Sequence, residues 1–90
     1  MFKVVYHYLV VREDIPRLPK VWKEKIRVIV GERLVASPDL YGKPLRRSLK
    51  GYYKLRAGDY RVIFKIEKKK VKVLLIEHRS VIYTKIQKRK

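Results

Sequence analysis

Residues 51–64, Gly-Tyr-Tyr-Lys-Leu-Arg-Ala-Gly-Asp-Tyr-Arg-Val-Ile-Phe, leave the backbone few choices. Two runs of aromatic, aliphatic and β-branched residues flank Ala57-Gly58-Asp59, and such runs joined by a few residues containing Gly read as a β-hairpin. Side chains alternate between the two faces of a strand. Tyr53 and Leu55 therefore fall on one face, with Tyr52, Lys54 and Arg56 on the other. In the second strand Tyr60, Val62, Phe64 and Ile66 share a face, opposite Arg61, Ile63 and Lys65. Lys54, Arg56 and Arg61 occupy strand positions where a purely structural hairpin would use Thr or Val. Cations there suggest the floor of an anion-binding surface.

The rest of the chain is organised around this hairpin. Phe2 to Tyr8 is rich in strand formers and reads as a first strand, with His7 half-buried in it. Leu9 to Leu18 reads as a brief helix up to about Asp14 or a turn restarting at Pro16, because proline breaks a helix interior. After Pro19, Trp22, Ile26, Ile29, Val30 and Leu34 recur at spacings of three and four, the apolar face of a surface helix. Ser37-Pro38-Asp39 stops it. Residues 40–50 read as a loop anchored by Leu45 and Leu49, whose Arg46, Arg47 and Lys50 extend the positive surface of the hairpin. Glu67-Lys68-Lys69-Lys70 is a second turn. Val71 to His78 is a strand whose centre, Val73-Leu74-Leu75-Ile76, lacks a polar gap and so is buried on both faces. Ser80 is placed to cap a short terminal helix with Val81, Ile82, Tyr83 and Ile86 on its apolar side, ending in a frayed Lys88-Arg89-Lys90 tail. Short turns make the last three strands an antiparallel meander. The expected class is α+β: a small antiparallel sheet of three meander strands plus the N-terminal strand, with N-terminal helices on one face and a short C-terminal helix.

Ninety residues suit one domain, spanning 1–90, and a hydrophobic content of 47% argues against global disorder. No apolar run approaches the roughly 18 residues of a membrane span and no signal peptide is visible, so the expected location is cytoplasmic. With no cysteine there is no disulfide framework and no thiolate metal site. The formal charge is +17, and it is lopsided: residues 43–90 hold seventeen Lys or Arg against three Asp or Glu. Lysine-rich surfaces that serve only solubility or heat resistance balance Lys with Glu, and that balance is missing here. Such a field captures polyanions. Nucleic acid leads as partner, then an acidic protein, with an anionic membrane last.

Two distant histidines and scattered acids lack metal-ligand spacing, and no Gly-rich phosphate loop or Ser/His/Asp arrangement stands in the chain. The informative set is Lys54, Arg56, Arg61, His78, Arg79 and Tyr83. Arg and Lys hold a phosphodiester and neutralise charge developing on it. Tyrosine stacks on an exposed base or moves a proton. Together they suit metal-free RNA cleavage by attack of a 2′-OH on the adjacent phosphate. Arg56, Tyr60 and Tyr83 have plainer readings as well: Arg56 pairing with Asp59, Tyr60 in the core, Tyr83 as helix packing; Arg61, in mid-strand with no acid beside it in sequence, favours function.

Residues 49–64 (Leu-Lys-Gly-Tyr-Tyr-Lys-Leu-Arg-Ala-Gly-Asp-Tyr-Arg-Val-Ile-Phe), followed by His78-Arg79-Ser80-Val81-Ile82-Tyr83, resemble the RelE/ParE toxin superfamily, and the leading strand and the helix after Leu18-Pro19 fit too. The resemblance implies a toxin of a type II toxin–antitoxin pair that cuts mRNA in the ribosomal A site without a cofactor. It implies an acidic antitoxin, the ribosome and mRNA as partners, and neither a membrane nor a small-molecule cofactor. Carried over by position, Lys54 matches a catalytic lysine, Arg61 the arginine on the scissile phosphate, and Tyr83 the tyrosine that orients the substrate nucleotide. Arg79 lies in the C-terminal basic motif; Arg46, Arg47, Lys50, Arg56 and His78 are expected to contact RNA. By spacing from Tyr83, the family's general-acid arginine falls at Glu77, and a second family lysine falls at Tyr52. The superfamily also includes gyrase poisons and inactive relatives, so the alternative is a non-catalytic binding protein of the same fold.

Overall fold

In the computed structural model, which describes residues 1–90, five strands form one sheet: β1 (Lys3–Tyr6), β2 (Lys43–Pro44), β3 (Tyr52–Ala57), β4 (Tyr60–Glu67) and β5 (Lys70–His78). Their order across the sheet is β1-β5-β4-β3-β2. The last three strands make the expected antiparallel meander through two tight turns. The sheet is mixed rather than wholly antiparallel, because β1 pairs with β5 in parallel from Lys3↔Lys70 to Tyr6↔Val73. Only a tight turn forces reversal, and a long helical connection lets β5 return in the direction of β1. The stretch read as a loop also contributes β2, paired with β3 at the sheet edge, where Pro44 withholds no ladder hydrogen bond.

The N-terminal connection is more helical than its prolines suggest. A π-helical turn (Val10–Asp14) runs directly into α1 (Ile15–Arg17), so Pro16 stands beside the π-helical turn near the end of a continuous helical stretch, and the chain turns extended at Leu18. Helix α2 (Lys20–Ile29) follows Pro19 and continues through a second π-helical turn (Val30–Leu34). Ile26, Val30 and Leu34 are buried, with Trp22 and Ile29 packed beside them, as the spacing requires. A short helix α3 (Pro38–Tyr41) then leads to the edge strand.

Two apolar layers result. The larger lies between the sheet and α2, where Leu55, Ala57, Val62, Phe64, Val71, Val73 and Ile76 meet the helix residues. The smaller lies on the opposite face, where the terminal helix α4 (Ile82–Arg89) lays Ile82 and Ile86 on Leu49, Ile63 and Leu75. A register shift in β5 joins the two layers. Ile63 pairs with Leu75 but Phe64 with Val73, so Leu74 is an extra residue in the ladder. The bulge flips the alternation, sending Val73 and Ile76 to the larger core and Leu75 to α4. This explains an apolar run with no polar gap.

Two expectations about the C-terminus need correction. Ser80 does not cap α4; Val81 precedes the helix with no side-chain cap, and the Ser80 hydroxyl lies 2.8 Å from His78 Nδ1. Nor is the end frayed at Arg89, whose side chain is 8% exposed and pairs at 2.7 Å with Asp14, itself fully buried. Charges leave water only when partnered, and Arg89 finds its partner on a segment distant in sequence.

At the opposite end of the sheet, the β4–β5 turn holds its own ion-pair network. Glu67 lies 2.8 Å from Lys72 Nζ and 3.0 Å from Lys65 Nζ. Hydrogen bonds from Lys72 and then Lys65 hold its carboxyl down to about 2, from an ordinary 4.5. A folded-state pKa below the unfolded one gives stability that is present above pH 4.5 and lost as pH falls through about 2. Carboxyl-carbon NMR should place the Glu67 midpoint near 2 at low ionic strength and show it rising with added salt, since the cluster is exposed.

Candidate active site

The site is assembled where the β3–β4 turn, the end of β5 and the start of α4 meet. Gly58 takes φ +61 in the tight turn, a left-handed conformation that glycine adopts freely, and the Trp22 ring of α2 lies directly against its α-carbon. The turn thereby fixes the start of β4 and with it Arg61. Arg61 Nη1 donates to the carbonyls of Gly58 and Tyr60, each at 2.9 Å. Five N–H donors belong to a guanidinium, so this anchoring leaves Nη2 and Nε for an anion. Lys54, Arg56 and Arg61 project from the same face, and Arg56 stands directly opposite Arg61 in the ladder. Like charges placed opposite each other weaken a sheet. A sequence selected only for folding avoids that pairing, whereas an anion-binding sheet tolerates it.

Four of the expected site residues and one expected RNA contact meet here. Lys54, Arg61, His78, Arg79 and Tyr83 line one open depression, with Ser80 and Ile82 completing its wall. Lys54 Nζ donates to Tyr83 Oη at 3.0 Å and sits 5.7 Å from the centre of its ring. Tyr83 is half exposed, its phenol turned toward the depression rather than into the core. The Arg79 backbone N–H donates to the Asp59 carbonyl at 2.8 Å, and its guanidinium approaches the Asp59 carboxylate at 3.6 Å. Both side chains of that pair are well exposed, so Asp59 holds Arg79 loosely at the rim. Asp59 pairs with Arg79 and not with Arg56, which stays exposed beside Arg61.

His78 is oriented by its own turn. Its Nδ1 accepts the Ser80 backbone N–H at 3.1 Å and Tyr60 meets the ring edge-on at 5.5 Å. With Nδ1 occupied as an acceptor, the neutral ring carries its proton on Nε2. Tyr60 packs against the larger core and touches Trp22, which bears out its plainer reading.

Glu77, where the resemblance implies an arginine, faces Arg61 across the ladder. It accepts from Lys85 Nζ at 2.6 Å and from the His78 backbone N–H at 3.0 Å. Burial pushes the carboxyl up, but those two hydrogen bonds and the charges of Lys85 and Arg17 outweigh it and hold it below the usual range. An ionised, doubly occupied carboxylate is a poor proton carrier; here it ties α4 to β5. Tyr52, where the resemblance implies a second lysine, shares the face of Lys54, with Lys65 Nζ 5.7 Å from its ring.

Arg46, Arg47 and Lys50 are exposed but outside the depression. Their loop flanks the far end of α4, where Gln87 and Lys90 reach Ser48. The Glu77–Lys85 and Asp14–Arg89 ties were missed at the level of sequence. The first had a weak signal, an acid and a lysine eight residues apart across one turn; the second, bridging 75 residues, had none. No group of three His, Cys, Asp or Glu side chains converges as a metal site would require.

Residues 2–83 match the family described as ParE toxin of type II toxin–antitoxin system, parDE. The chain is similar to Toxin RelE of Mycobacterium tuberculosis, 37% identical over 73 residues that cover 78% of this chain and 74% of the relative. It is likewise similar to Toxin RelG of the same organism, at 36% over 75 residues, covering 80% and 85%. Among solved structures, a chain of the M. tuberculosis RelBE toxin–antitoxin complex superposes with a TM-score of 0.81 at 30% identity, over 88% of this chain and 92% of that one. The chain belongs to this family: it is a RelE-type toxin of a type II toxin–antitoxin system.

Proposed function

We propose that this toxin is a ribosome-dependent mRNA endonuclease acting in the A site. The observation that carries the proposal is the convergence of Lys54, Arg61, Arg79, His78 and Tyr83 on one open depression from strands and a helix that are distant in sequence. The free donors of Arg61 grip the scissile phosphate and neutralise charge as it grows on the equatorial oxygens. Lys54 adds charge from the neighbouring strand and orients the Tyr83 phenol through their hydrogen bond. Tyr83 stacks on or orients the nucleotide, and Arg79 closes the rim.

In the reaction the substrate's own 2′-oxygen forms a bond to phosphorus and loses its proton to a base. The bond from phosphorus to the 5′-oxygen breaks, and that oxygen takes up a proton. A 2′,3′-cyclic phosphate and a 5′-hydroxyl result. His78 Nε2 and the Tyr83 phenol are the groups in the depression that can exchange those protons. Arg46, Arg47, Lys50 and Arg56 extend the positive surface along rRNA and the message. An acidic antitoxin is the matching partner in the cytoplasm, and the similar M. tuberculosis structure is itself a toxin–antitoxin complex.

The test uses ribosomes halted with a defined codon in the A site, with primer extension reading the cuts. Cleavage confined to that codon and absent from free mRNA is expected. Tyr52 and the clamped Glu77 favour a second reading, a toxin of this fold that binds without cutting. Growth arrest with mRNA intact in both conditions, accompanied by DNA damage, is the outcome that selects it.

A further inference from the structure

Helix α4 is too short to hold itself in place. Its eight residues fall below the roughly 12–15 at which an isolated helix becomes even marginal, so its position is set by what it touches. Ile82 and Ile86 decide which face points down. Apolar contact alone leaves sliding and rotation cheap. Two polar rows flank that face. On one, Tyr83, Gln87 and Lys90 reach Lys54 Nζ at 3.0 Å, Ser48 Oγ at 3.3 Å and the Ser48 carbonyl at 2.8 Å. On the other, Lys85 and Arg89 reach Glu77 at 2.6 Å and Asp14 at 2.7 Å. Of these, only the Asp14–Arg89 tie is shut away from water at both partners.

The pair is built into the sheet. β1 stops pairing at Val73, which leaves the second half of β5 with an open edge. Asp14 Oδ2 accepts the Ile76 N–H there at 2.9 Å, and Arg89 Nη1 donates to the carbonyl of the bulged Leu74 at 3.3 Å. Asp14 and Arg89 thus satisfy two backbone groups that β1 abandons, and join to each other. The second Asp14 oxygen is buried with no partner. Apolar residues in such places commonly give equal or greater stability, so a buried pair of charges fits a geometric role better than an energetic one. A slip of α4 by one residue, about 1.5 Å and 100°, would break the tie and strand a charge in the interior.

We propose that the Asp14–Arg89 pair positions the candidate site: it sets the register of α4 and so holds the Tyr83 phenol, on the helix's other flank, against Lys54. Neither residue lines the depression itself. The proposal deepens the endonuclease reading and rests on it for its kinetic consequence, though not for its structural one.

The test is the double variant Asp14→Asn with Arg89→Met, in which an acceptor for Ile76 and the apolar stem of the arginine remain and no lone charge is buried. Folding is checked by circular dichroism and melting. The Tyr83 signal is read by 13C NMR of ring-labelled tyrosine, assigned with Tyr83→Phe. The Tyr83 signal is expected to move toward its position in Lys54→Met. On halted ribosomes kcat should fall about tenfold with KM within about twofold, the signature of a misplaced group rather than lost binding. In a Tyr83→Phe background the same double substitution should change kcat less than about twofold. An unmoved Tyr83 signal in a folded double variant overturns the proposal, as do equal losses with and without Tyr83. If the double variant does not fold, Arg89→Lys keeps the charge without the guanidinium's reach and is judged by the same signal. A wild-type protein that cuts nothing would defeat the endonuclease reading alone, and the Tyr83 signal would still decide this one.

Discussion

Arg61→Ala should keep the fold and lose at least about a hundredfold in single-turnover cleavage on programmed ribosomes, the usual cost of removing a donor aimed at developing charge. The fold should survive because Arg61 bonds only turn carbonyls close to solvent, and its removal relieves the like-charge pairing with Arg56. The melting midpoint should therefore stay within a few degrees, consistent with a stability change of under about 1 kcal/mol. Arg61→Lys should recover little, since an ammonium keeps the charge but loses the planar fork that grips two phosphate oxygens. A full return of activity in Arg61→Lys would mean that charge alone suffices and that the guanidinium geometry is idle.

Gly58→Val is expected to show the largest loss of stability. The residue holds φ +61, where a β-branched side chain is strained, and the Trp22 ring occupies the space a Cβ needs. Strain and overpacking each cost on the order of 1–3 kcal/mol, so the sum is roughly 4 kcal/mol. For a domain of this size that lowers the melting midpoint by about 15–30 °C, measurable by circular dichroism. Because Trp22 belongs to α2, the damage should spread beyond the turn: Tyr60 and His78 pack in sequence behind it and should shift with it in NMR spectra. A midpoint lowered by less than about 3 °C would show that the turn and the indole give way freely.

What was legible in the sequence was local. Alternation of period two placed Lys54, Arg56 and Arg61 on one face, and spacings of three and four placed Ile26, Val30 and Leu34 in the core. The turn at Gly58-Asp59 fixed which strands are neighbours. These signals span a few residues, and backbone geometry enforces them whatever the rest of the chain does. Residue type alone grouped Arg79 and Tyr83 with the hairpin cations, but their position beside the hairpin came through family resemblance, because no local rule brings β5's end and α4 to β3. The parallel placement of β1 was not legible, since its partner lies at the far end of the meander. The bulge at Leu74 was visible only as its consequence, an apolar run without a gap. Arg89 was misread because lysines and arginines at a terminus ordinarily remain in water, and its partner Asp14 lies 75 residues away. Of the two readings of Arg56, the pairing with Asp59 is absent, since Asp59 lies against Arg79, and the RNA contact is part of the proposal.

The most direct measurement is the chemistry of the cut ends. Wild-type toxin, halted ribosomes and defined mRNA are combined at the Mg2+ concentration that keeps the ribosomes assembled, and the fragment termini are identified by mass spectrometry. Cleavage by the message's own 2′-OH, with Arg61 and Lys54 carrying the charge, predicts a 2′,3′-cyclic phosphate on one fragment and a 5′-hydroxyl on the other, both lost in Arg61→Ala. Fragments ending in a 3′-hydroxyl with a 5′-phosphate on the other piece, or no cleavage at all, would contradict it.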